Sequence, residues 1–445
     1  MLFFSRVAVA ATALLIGQAV ATPIPLTMVS SGDKFDIVIT VNNTINATAP
    51  APGHAGDQLE RRSGNGRLPL SLVNNLDGGK VNAYVTGLDS SNRLVMLQPN
   101  GEFFYPSADP SQTVPTPVGG NIAIPLGEKG STREIIIPDY ISSARVWFSE
   151  GNLKFFTTWS AATNGPSLVT PSQSNPYDPS AAVNWGFVEL THIPGYGLYA
   201  NISYVDFVGL VLGMSMTTRD GGKQTALGLK ANAVASICQA LIQQAKKDGR
   251  PWDDLCMVNS AGKLLRVLAP GNYLAGHPDA FRNYWTNYVD QVWKRYETRD
   301  LTINTQAAPG RVRCRVRDGR LKCDGDNRSY GKPSAKDIYG CDSGPFDIRG
   351  DDNAVHRAVV PRLCAAFVRS TALSAAVQPS GGEGSYYRSN PTNWYSKVVH
   401  QNLVDGRGYA FPYDDVNPTG GKDQAGVVAS PNPARLEVVV GGPLA

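Results

Sequence analysis

Residues 185–209, WGFVELTHIPGYGLYANISYVDFVG, predict two strands joined by a turn. The first run, Trp185–His192, alternates its side chains between two faces, as a strand does. PGYG at 194–197 is a turn sequence, because proline presets one dihedral angle and glycine permits positive φ. The second run, Tyr199–Val208, is rich in β-branched and aromatic residues, which favour pleated sheet. These features predict an antiparallel hairpin.

Each predicted strand carries one acid between two apolar residues, Glu189 in the first and Asp206 in the second. Acids are normally solvated, so two of them in apolar settings on paired strands indicate a site. Two carboxylates that face one cleft can hydrolyse a glycoside, since one protonates the leaving oxygen while the other activates water or attacks carbon. The alternative is that both acids lie on the solvent face of an antiparallel sheet.

Residue parity limits how the two acids can meet. In an antiparallel hairpin without a bulge, opposed residue numbers add to a constant and opposed residues share a face. Glu189 is odd and Asp206 is even. They therefore share a face only if the connecting loop has an even number of residues, such as Ile193–Tyr196, or if a β-bulge intervenes.

FVELTH at 187–192, followed by YANISYVDFVG at 199–209, resembles the core of glycoside hydrolase family 64. The resemblance covers nearly the whole chain after about Leu68 and includes PYDDV at Pro412–Val416. Members of this family are endo-type β-1,3-glucanases that invert the anomeric configuration and are related in fold to thaumatin-like proteins. The resemblance implies Glu189 as general acid, Asp206 as general base, β-1,3-glucan as partner and no cofactor.

The fold class that the resemblance implies is mainly β with α/β. A thaumatin-like β-barrel or sandwich domain, residues 65–216 completed by 396–445, and a smaller mixed α/β domain, residues 217–395, would flank a wide acidic groove. The residues themselves indicate a sandwich or barrel, because short β runs separated by turn residues fill the first third of the chain. The clearest runs are Val81–Thr86, Leu94–Leu97, Ile122–Ile124, Glu134–Ile137 and Ala144–Phe148.

Helical spacing appears in the middle of the chain. Apolar residues recur with this spacing from Val234 to Ala245, and Gly249 is placed to end that helix. A second helix is predicted after Pro278, with an aromatic stripe from Phe281 to Tyr296 that is more typical of core than of a sugar-binding face. A third helical stretch, residues 354–372, contains a proline that would kink it or begin a new helix.

The resemblance adds five substrate-binding candidates: Asp178, Thr191, Tyr196, Asp414 and Asp415. Asp178 belongs to a loop predicted over Pro166–Pro179, and Asp414 and Asp415 would line the groove and bind sugar hydroxyls. Without the resemblance, two aspartates before Asn-Pro predict only a turn. The chain departs from its relatives at Ile193, where they carry Asn, and Tyr196 or Tyr199 stands nearest to a Trp of theirs.

The first 21 residues predict a secretory signal, with one arginine, a short apolar run and Ala19-Val20-Ala21 as cleavage site. Residues 22–62 are rich in Pro, Ala and Asn and end in Arg61-Arg62, so they are either a processed propeptide or a flexible N-terminal segment. We expect an extracellular protein, because later segments lack the ~20 apolar residues of a bilayer span. Sequons for N-glycosylation occur at Asn42, Asn46, Asn201 and Asn327.

Six cysteines in an exported chain predict three disulfides. Asp318-Gly319 is a two-residue hairpin turn that places Cys314 directly opposite Cys323, within disulfide reach. Cys238, Cys256, Cys341 and Cys364 leave three pairings open, of which proximity along the chain favours Cys238–Cys256 with Cys341–Cys364.

Charge and motif content favour no other chemistry. The net charge is +4, and the basic run from Arg311 to Lys322 occupies alternate positions, which is typical of a solvated strand face rather than a polyanion-binding patch. The five histidines lack metal-ligand spacing, and His192 faces away from Glu189 by strand parity. No nucleophile elbow, Walker loop or dinucleotide fingerprint occurs. We expect a monomer that binds neither nucleic acid nor membrane.

Two other protein classes share parts of this pattern. A non-catalytic thaumatin-like β-glucan-binding protein would keep the groove without needing both acids. A structural or defence protein of the cell wall is the other, although six cysteines are few for the disulfide-dense thaumatin-like defence proteins. Release of reducing ends from laminarin distinguishes an enzyme from both.

Overall fold

The computed structural model describes residues 26–40, 43–46 and 66–442. The predicted signal sequence and Arg61-Arg62 lie outside these residues. The strands of the described residues are, in chain order, β1 (Thr27–Met28), β2 (Thr44–Asn46), β3 (Leu68–Asn74), β4 (Val81–Asp89), β5 (Leu94–Leu97), β6 (Phe103–Phe104), β7 (Thr116–Pro117), β8 (Ile124–Pro125), β9 (Thr132–Ile137), β10 (Ile141–Glu150), β11 (Phe156–Ser160), β12 (Gly165–Val169), β13 (Asn184–Ile193), β14 (Gly197–Ile202), β15 (Phe207–Val208), β16 (Leu212–Thr218), β17 (Lys223–Ala226), β18 (Cys256–Val258), β19 (Leu264–Leu268), β20 (Leu301–Asn304), β21 (Arg311–Arg317), β22 (Arg320–Cys323), β23 (Ser329–Tyr330), β24 (Val377–Gln378), β25 (Val427–Ser430) and β26 (Pro433–Val440).

The α-helices of the same residues are α1 (Ala233–Asp248), α2 (Pro270–Gly276), α3 (Thr286–Thr298), α4 (Ala335–Gly340), α5 (Ala354–Val368) and α6 (Trp394–Asn402). None of them is long and apolar enough to cross a lipid bilayer. The predominance of strands confirms the predicted mainly β class with added helices.

Two sheets form the frame that carries the site. The larger one has eight strands, in the order β25-β14-β13-β10-β4-β5-β6 with β8 beside β4. The second has the order β17-β16-β26-β3-β9, in which β26, near the end of the chain, pairs with β3 in parallel. Their inward side chains belong to one continuous hydrophobic core. The central strands β4 and β5 are buried along their whole length, whereas β13 alternates buried and partly exposed residues from Val188 onward.

The middle of the chain builds a sheet of order β23-β22-β21-β20-β24, against which α3 and α5 pack. The aromatic stripe of α3 is buried in the core, as expected. This helix begins at Thr286, later than predicted, because Phe281 and Asn283 adopt positive φ and interrupt any α-helix before it. Helix α5 runs through Pro361 and ends at Val368, short of the predicted residue 372.

All three disulfides follow the predicted pairing: Cys238–Cys256, Cys314–Cys323 and Cys341–Cys364. Cys314 and Cys323 lie directly opposite each other on β21 and β22, joined by Asp318 and Gly319, both with positive φ. The basic residues of β21 alternate with buried ones, which confirms a solvated strand face.

The hairpin around residue 195 departs from the prediction. Its loop has three residues, and Glu189 of β13 lies opposite Asn201 of β14. The numbers of opposed residues therefore add to an even constant. The predicted second strand is wrong as one unit, because β14 ends at Ile202 and Tyr204 donates its backbone N–H to the Tyr409 carbonyl. Residues 207–208 then form β15 in another sheet. Asp206 therefore lies outside the hairpin and still lines the same cavity as Glu189, so the parity rule for opposed strand residues does not apply to this pair.

Candidate active site

A cavity of about 560 Å³ opens at the surface of the large sheet, beside β10, β13 and β14. Its lining includes both predicted acids, Glu189 and Asp206, together with Arg145, Thr191 and Tyr199. The structure thus brings the two carboxylates to one open space, although Glu189 lies on β13 and Asp206 in the bend just before β15, a strand of another sheet. We call this space the acidic groove.

Glu189 lies between two polar side chains of the neighbouring strands. Arg145 of β10 is its direct partner on one side and donates from Nε and Nη2 to Glu189 Oε1 at 3.2 and 3.1 Å. Asn201 of β14 is the partner on the other side, with Nδ2 3.4 Å from Oε2. The guanidinium also stacks over Phe187, 4.3 Å from the ring centroid, which fixes its position. The Glu189 side chain stays 35% exposed, so substrate can reach it.

Asp206 is held from a different direction. Asn272, in the first turn of α2, donates from Nδ2 to Asp206 Oδ1 at 3.0 Å, and Gln173 donates to the Asn272 side-chain oxygen at 2.7 Å. The Asp206 backbone carbonyl accepts the N–H of Ala269. Below it, Phe207 packs against Trp185, with ring centroids 4.6 Å apart. These contacts place the carboxyl at an apolar floor with few charge-stabilising partners.

The apolar surroundings of Asp206 affect the pKa of its carboxyl. Burial raises the pKa of the Asp206 carboxyl; Arg145 and the Asn272 hydrogen bond lower it, and the negative charge of Glu189 raises it again. The net effect is a carboxyl that keeps its proton to higher pH than a solvated aspartate does. A carboxylate with a raised pKa is also a stronger base once its proton has left.

Of the two substrate-binding candidates in the hairpin, one lines the acidic groove and the other does not. Thr191 lines the acidic groove, two residues along the same strand face from Glu189. Tyr196 does not line it, because the residue lies at the tip of the turn with its side chain 75% exposed. Tyr199, opposite Thr191, lines the groove instead and lies with its hydroxyl 3.4 Å from that of Tyr409. His192 lies on the opposite strand face from Glu189, as predicted, and is buried.

The prediction that Asp178 binds substrate is wrong. Its side chain is buried and accepts the backbone N–H groups of Ser172 and Ser180, at 3.1 and 2.8 Å. Burial raises its pKa to about 6, although these hydrogen bonds and Arg266 oppose the rise. Asp178 therefore shapes the loop that carries Gln173 and does not face the groove. The predicted loop is shorter than expected, since Gly165–Val169 is strand β12.

The prediction that Asp414 lines the groove is also wrong. It is fully buried and accepts hydrogen bonds from Arg369 at 2.8 Å, His400 at 2.7 Å and the Ala410 N–H at 2.8 Å. No oxygen of this carboxylate is free for sugar. Asp415, its neighbour in sequence, is exposed and lines a separate cavity with Arg362 and Tyr413.

Three polar residues of the site were missed by sequence reasoning: Arg145, Asn201 and Asn272. Arg145 lies in a run predicted as strand, but only the pairing of β10 with β13 places it beside Glu189. Asn201 is also the asparagine of a sequon. Its contact with Glu189 means that a glycan there would occupy the groove. Within residues 26–40, 43–46 and 66–442, no three His, Cys, Asp or Glu side chains are grouped so as to hold a metal ion.

A β-rich fold with an open groove that presents two carboxylates has the features of a glycoside hydrolase. The sequence profile of glycoside hydrolase family 64, described as β-1,3-glucanase, matches residues 66–440. The chain therefore belongs to glycoside hydrolase family 64.

Characterised relatives and a solved structure agree with this membership. The chain is 30% identical over 281 residues to two glucan endo-1,3-β-glucosidases, from Cellulosimicrobium cellulans and from Arthrobacter sp. (strain YCWD3). These matches cover 62% of this chain, which spans about half (48%) of each relative's length. A crystal structure of a laminaripentaose-producing β-1,3-glucanase in complex with laminaritetraose superposes with a TM-score of 0.74 at 26% identity, over 84% of this chain and 98% of that one.

Proposed function

We propose that the protein is an endo-acting glycoside hydrolase that cleaves β-1,3-glucan, such as laminarin or cell-wall glucan. The observation that carries the proposal is the meeting of Glu189 and Asp206 in one open groove. Membership of family 64 and the activity named for both characterised relatives supply the substrate class.

In the proposed mechanism the two carboxylates act on opposite sides of the scissile bond. Glu189 protonates the leaving oxygen, and the Asp206 carboxylate takes a proton from the water that attacks the anomeric carbon, which inverts its configuration. A base with a raised pKa suits the Asp206 role. Arg145, in contact with Glu189 Oε1, would stabilise the carboxylate that forms as Glu189 gives up its proton.

Sugar contacts in this proposal come from the groove walls. Thr191 and Tyr199 line the groove beside Glu189, and Asp415 is exposed near the Tyr199–Tyr409 pair, whose pKa values its charge helps to raise. Tyr196 stands exposed at the outer end of the same hairpin, where a longer glucan chain would reach it. These positions would determine how many sugar units the groove holds and therefore the product length.

We propose further that the protein acts outside the cell as a monomer and that two domains flank the groove. The three disulfides suit an oxidising compartment. The domain division 65–216 with 396–445, and 217–395, is supported by the pairing of β26 with β3 and β16, while the sheet of β20–β24 lies wholly within the second range.

The test is incubation of the purified protein with linear β-1,3-glucan, with reducing ends counted and products sized. We expect oligosaccharide release, and the Glu189→Gln protein, prepared in parallel, controls for contaminating glucanases. Glucan binding without release would mean a non-catalytic binding protein, and absence of both would contradict the proposed substrate.

Proton NMR of the first products tests the mechanism. Inversion predicts α-anomer at the start, in line with carboxyl groups ~6.5–9.5 Å apart and room for a water between them. Initial β-anomer would contradict the role given to Asp206, because it requires a nucleophilic carboxylate and a covalent intermediate.

A further inference from the structure

The N-terminal residues 26–40 and 43–46, here called the N-terminal segment, precede the part of the chain that matches the family. They are nevertheless docked on the folded protein. β1 pairs in parallel with β18, and Val29 is buried, with its N–H donating to the Val258 carbonyl. Ser30 and Gly32 donate their N–H groups to the carbonyls of Pro176 and Tyr177. The segment thus follows the loop that carries Gln173 towards the acidic groove.

Asn43 makes a second group of docking contacts. Its side chain is buried, accepts the Thr40 N–H at 2.7 Å and donates to the Val38 carbonyl at 2.9 Å. Its backbone carbonyl accepts the N–H of Thr170 at 2.8 Å. One asparagine therefore closes a turn within the segment and fastens that turn to the strand edge of the enzyme.

Strand β2, which follows this turn, reaches the active site. It adds to the free edge of β12 with Thr44, Ile45 and Asn46 opposite Val169, Leu168 and Ser167. Ser167 also donates its hydroxyl proton to the Asn46 side-chain oxygen. All three β2 residues line the same cavity as Glu189 and Asp206. The N-terminal segment is therefore a wall of the acidic groove.

The contacts that hold the N-terminal segment beside the groove are of a kind that can dissociate. β2 is a three-residue edge strand paired with β12, the mode by which extended peptides bind sheet edges, and of its side chains Ile45 packs against the core. Much of the segment's apolar surface stays outside the core. Its exposed side chains are Met28 (66%), Phe35 (73%), Val38 (54%) and Ile39 (47%). Apolar groups left in water contribute little to holding the segment in place.

We propose that the N-terminal segment is an intramolecular inhibitor, which narrows the acidic groove until the chain is cut after Arg62. An endo-acting enzyme must accept a long glucan across its groove, so a peptide wall beside Glu189 restricts entry of that substrate. The cut is hydrolysis of the Arg62–Ser63 peptide bond, with water, by a separate protease specific for paired basic residues. The inference rests on the proposed function for the substrate that is excluded.

The experiment uses the full chain with Arg61 and Arg62 replaced by the recognition sequence of a site-specific protease. One preparation is divided, and half is cut. We expect cutting to raise kcat/KM on long linear β-1,3-glucan by about tenfold or more, which corresponds to a groove open in about 10% or fewer of the uncut molecules. A synthetic peptide of residues 26–46 should inhibit the cut enzyme. Equal or lower activity after cutting, with both forms folded by circular dichroism, would overturn the inference and make the segment a permanent wall.

Point variants test the docking contact without any cut. Asn43→Ala removes the side-chain hydrogen bonds that close the turn and keeps the sequon at Asn42, so we expect uncut protein with activity between the two forms. Lys34→Ala is the matched control, because Lys34 belongs to the same segment and does not line the acidic groove, and its activity should equal that of the uncut parent. Activity of Asn43→Ala equal to that of the control would contradict the proposal.

A binding measurement separates failure of this inference from failure of the proposed function. Calorimetry with laminarihexaose on the Glu189→Gln protein, cut and uncut, reports access to the groove when no hydrolysis occurs. Tighter binding after cutting, in a protein whose active form releases no sugar, would support the inhibitor and contradict the hydrolase. Equal binding in both forms, or no binding in either, would overturn the inhibitor whatever the hydrolytic activity.

Discussion

Two acid-bearing stretches of this chain look alike in sequence and differ in structure. Glu189, in FVELTH, and Asp414, in PYDDV, are both carboxylates among apolar and aromatic neighbours. Glu189 is 35% exposed, with Arg145 at 3.1 Å and Asn201 at 3.4 Å. Asp414 is fully buried and accepts from Arg369, His400 and the Ala410 N–H. One acid faces a groove, and the other is part of the protein's internal structure.

The two carboxylates differ in exposure and in the number of hydrogen-bond donors that surround them. Burial alone would raise the pKa of Asp414, but His400 and Arg369 outweigh it and lower the pKa. For Asp206 the balance has the opposite sign, because burial outweighs Arg145 and Asn272 and the pKa rises. Asp414, although the more deeply buried of the two, is therefore held as an anion, whereas Asp206 keeps its proton to higher pH.

The largest expected effect comes from the exposed acid. Glu189→Gln keeps the shape of the side chain and removes its proton donor, so kcat on laminarin should fall by at least ~10²–10⁴-fold. Thermal unfolding should change little, because Glu189 is partly exposed and surface ion pairs contribute little stability. A folded variant that retains more than about a tenth of the wild-type kcat would contradict a role for Glu189 as general acid.

The buried acid should show the reverse pattern. Asp414→Asn leaves the buried Arg369 without its anionic partner, so the free energy of unfolding should fall by about 3–5 kcal/mol. Denaturant unfolding measures this loss. Asp415→Asn is the control, since Asp415 is exposed and its replacement should change stability within about 0.5 kcal/mol. Equal decreases in the free energy of unfolding for the two variants would contradict the structural role given to Asp414.

Asp178 is a buried acid like Asp414, but its pKa is raised and not lowered. Its pKa is raised to about 6, so between about pH 4 and pH 6 the folded protein holds a proton that the unfolded chain releases. The Asp178 contribution to stability therefore falls as pH rises through this window, by about 3 kcal/mol in all. We expect the unfolding free energy of wild type, measured relative to Asp178→Asn, to decrease from pH 4 to pH 7. A difference independent of pH would contradict the raised pKa.

The smallest effect should come from Asn272, which positions Asp206. Asn272→Ala removes the hydrogen bond to Oδ1, and we expect kcat to fall by about tenfold, or about 1.4 kcal/mol. Because this bond lowers the pKa of Asp206, its loss should also move the acidic limb of the kcat–pH profile to higher pH. Gln173→Ala, one hydrogen bond further away, should change both quantities less. A lower kcat with an unmoved pH profile would indicate a merely structural role for Asn272.

The sequence by itself determined the local elements of this protein. The β runs at 81–86, 94–97, 134–137 and 144–148 lie within observed strands, although only Ile124 of the run at 122–124 is in a strand. Helix α1 ends where Gly249 adopts positive φ, as predicted. The Cys314–Cys323 disulfide follows from a two-residue turn that sets the register of both strands. Such features depend on neighbouring residues, and local propensity and turn geometry are readable from sequence.

Only the tertiary structure decided which acids share a site. Asp206 meets Glu189 because the chain leaves the hairpin at Tyr204, which binds the carbonyl of Tyr409, far away in sequence. Asp414 is held away from the groove by Arg369, which directly follows α5, and by His400 on α6. The N-terminal segment becomes a groove wall by adding β2 to the edge of β12. Each outcome depends on partners brought together by folding, and local propensity carries no information about such distant pairings.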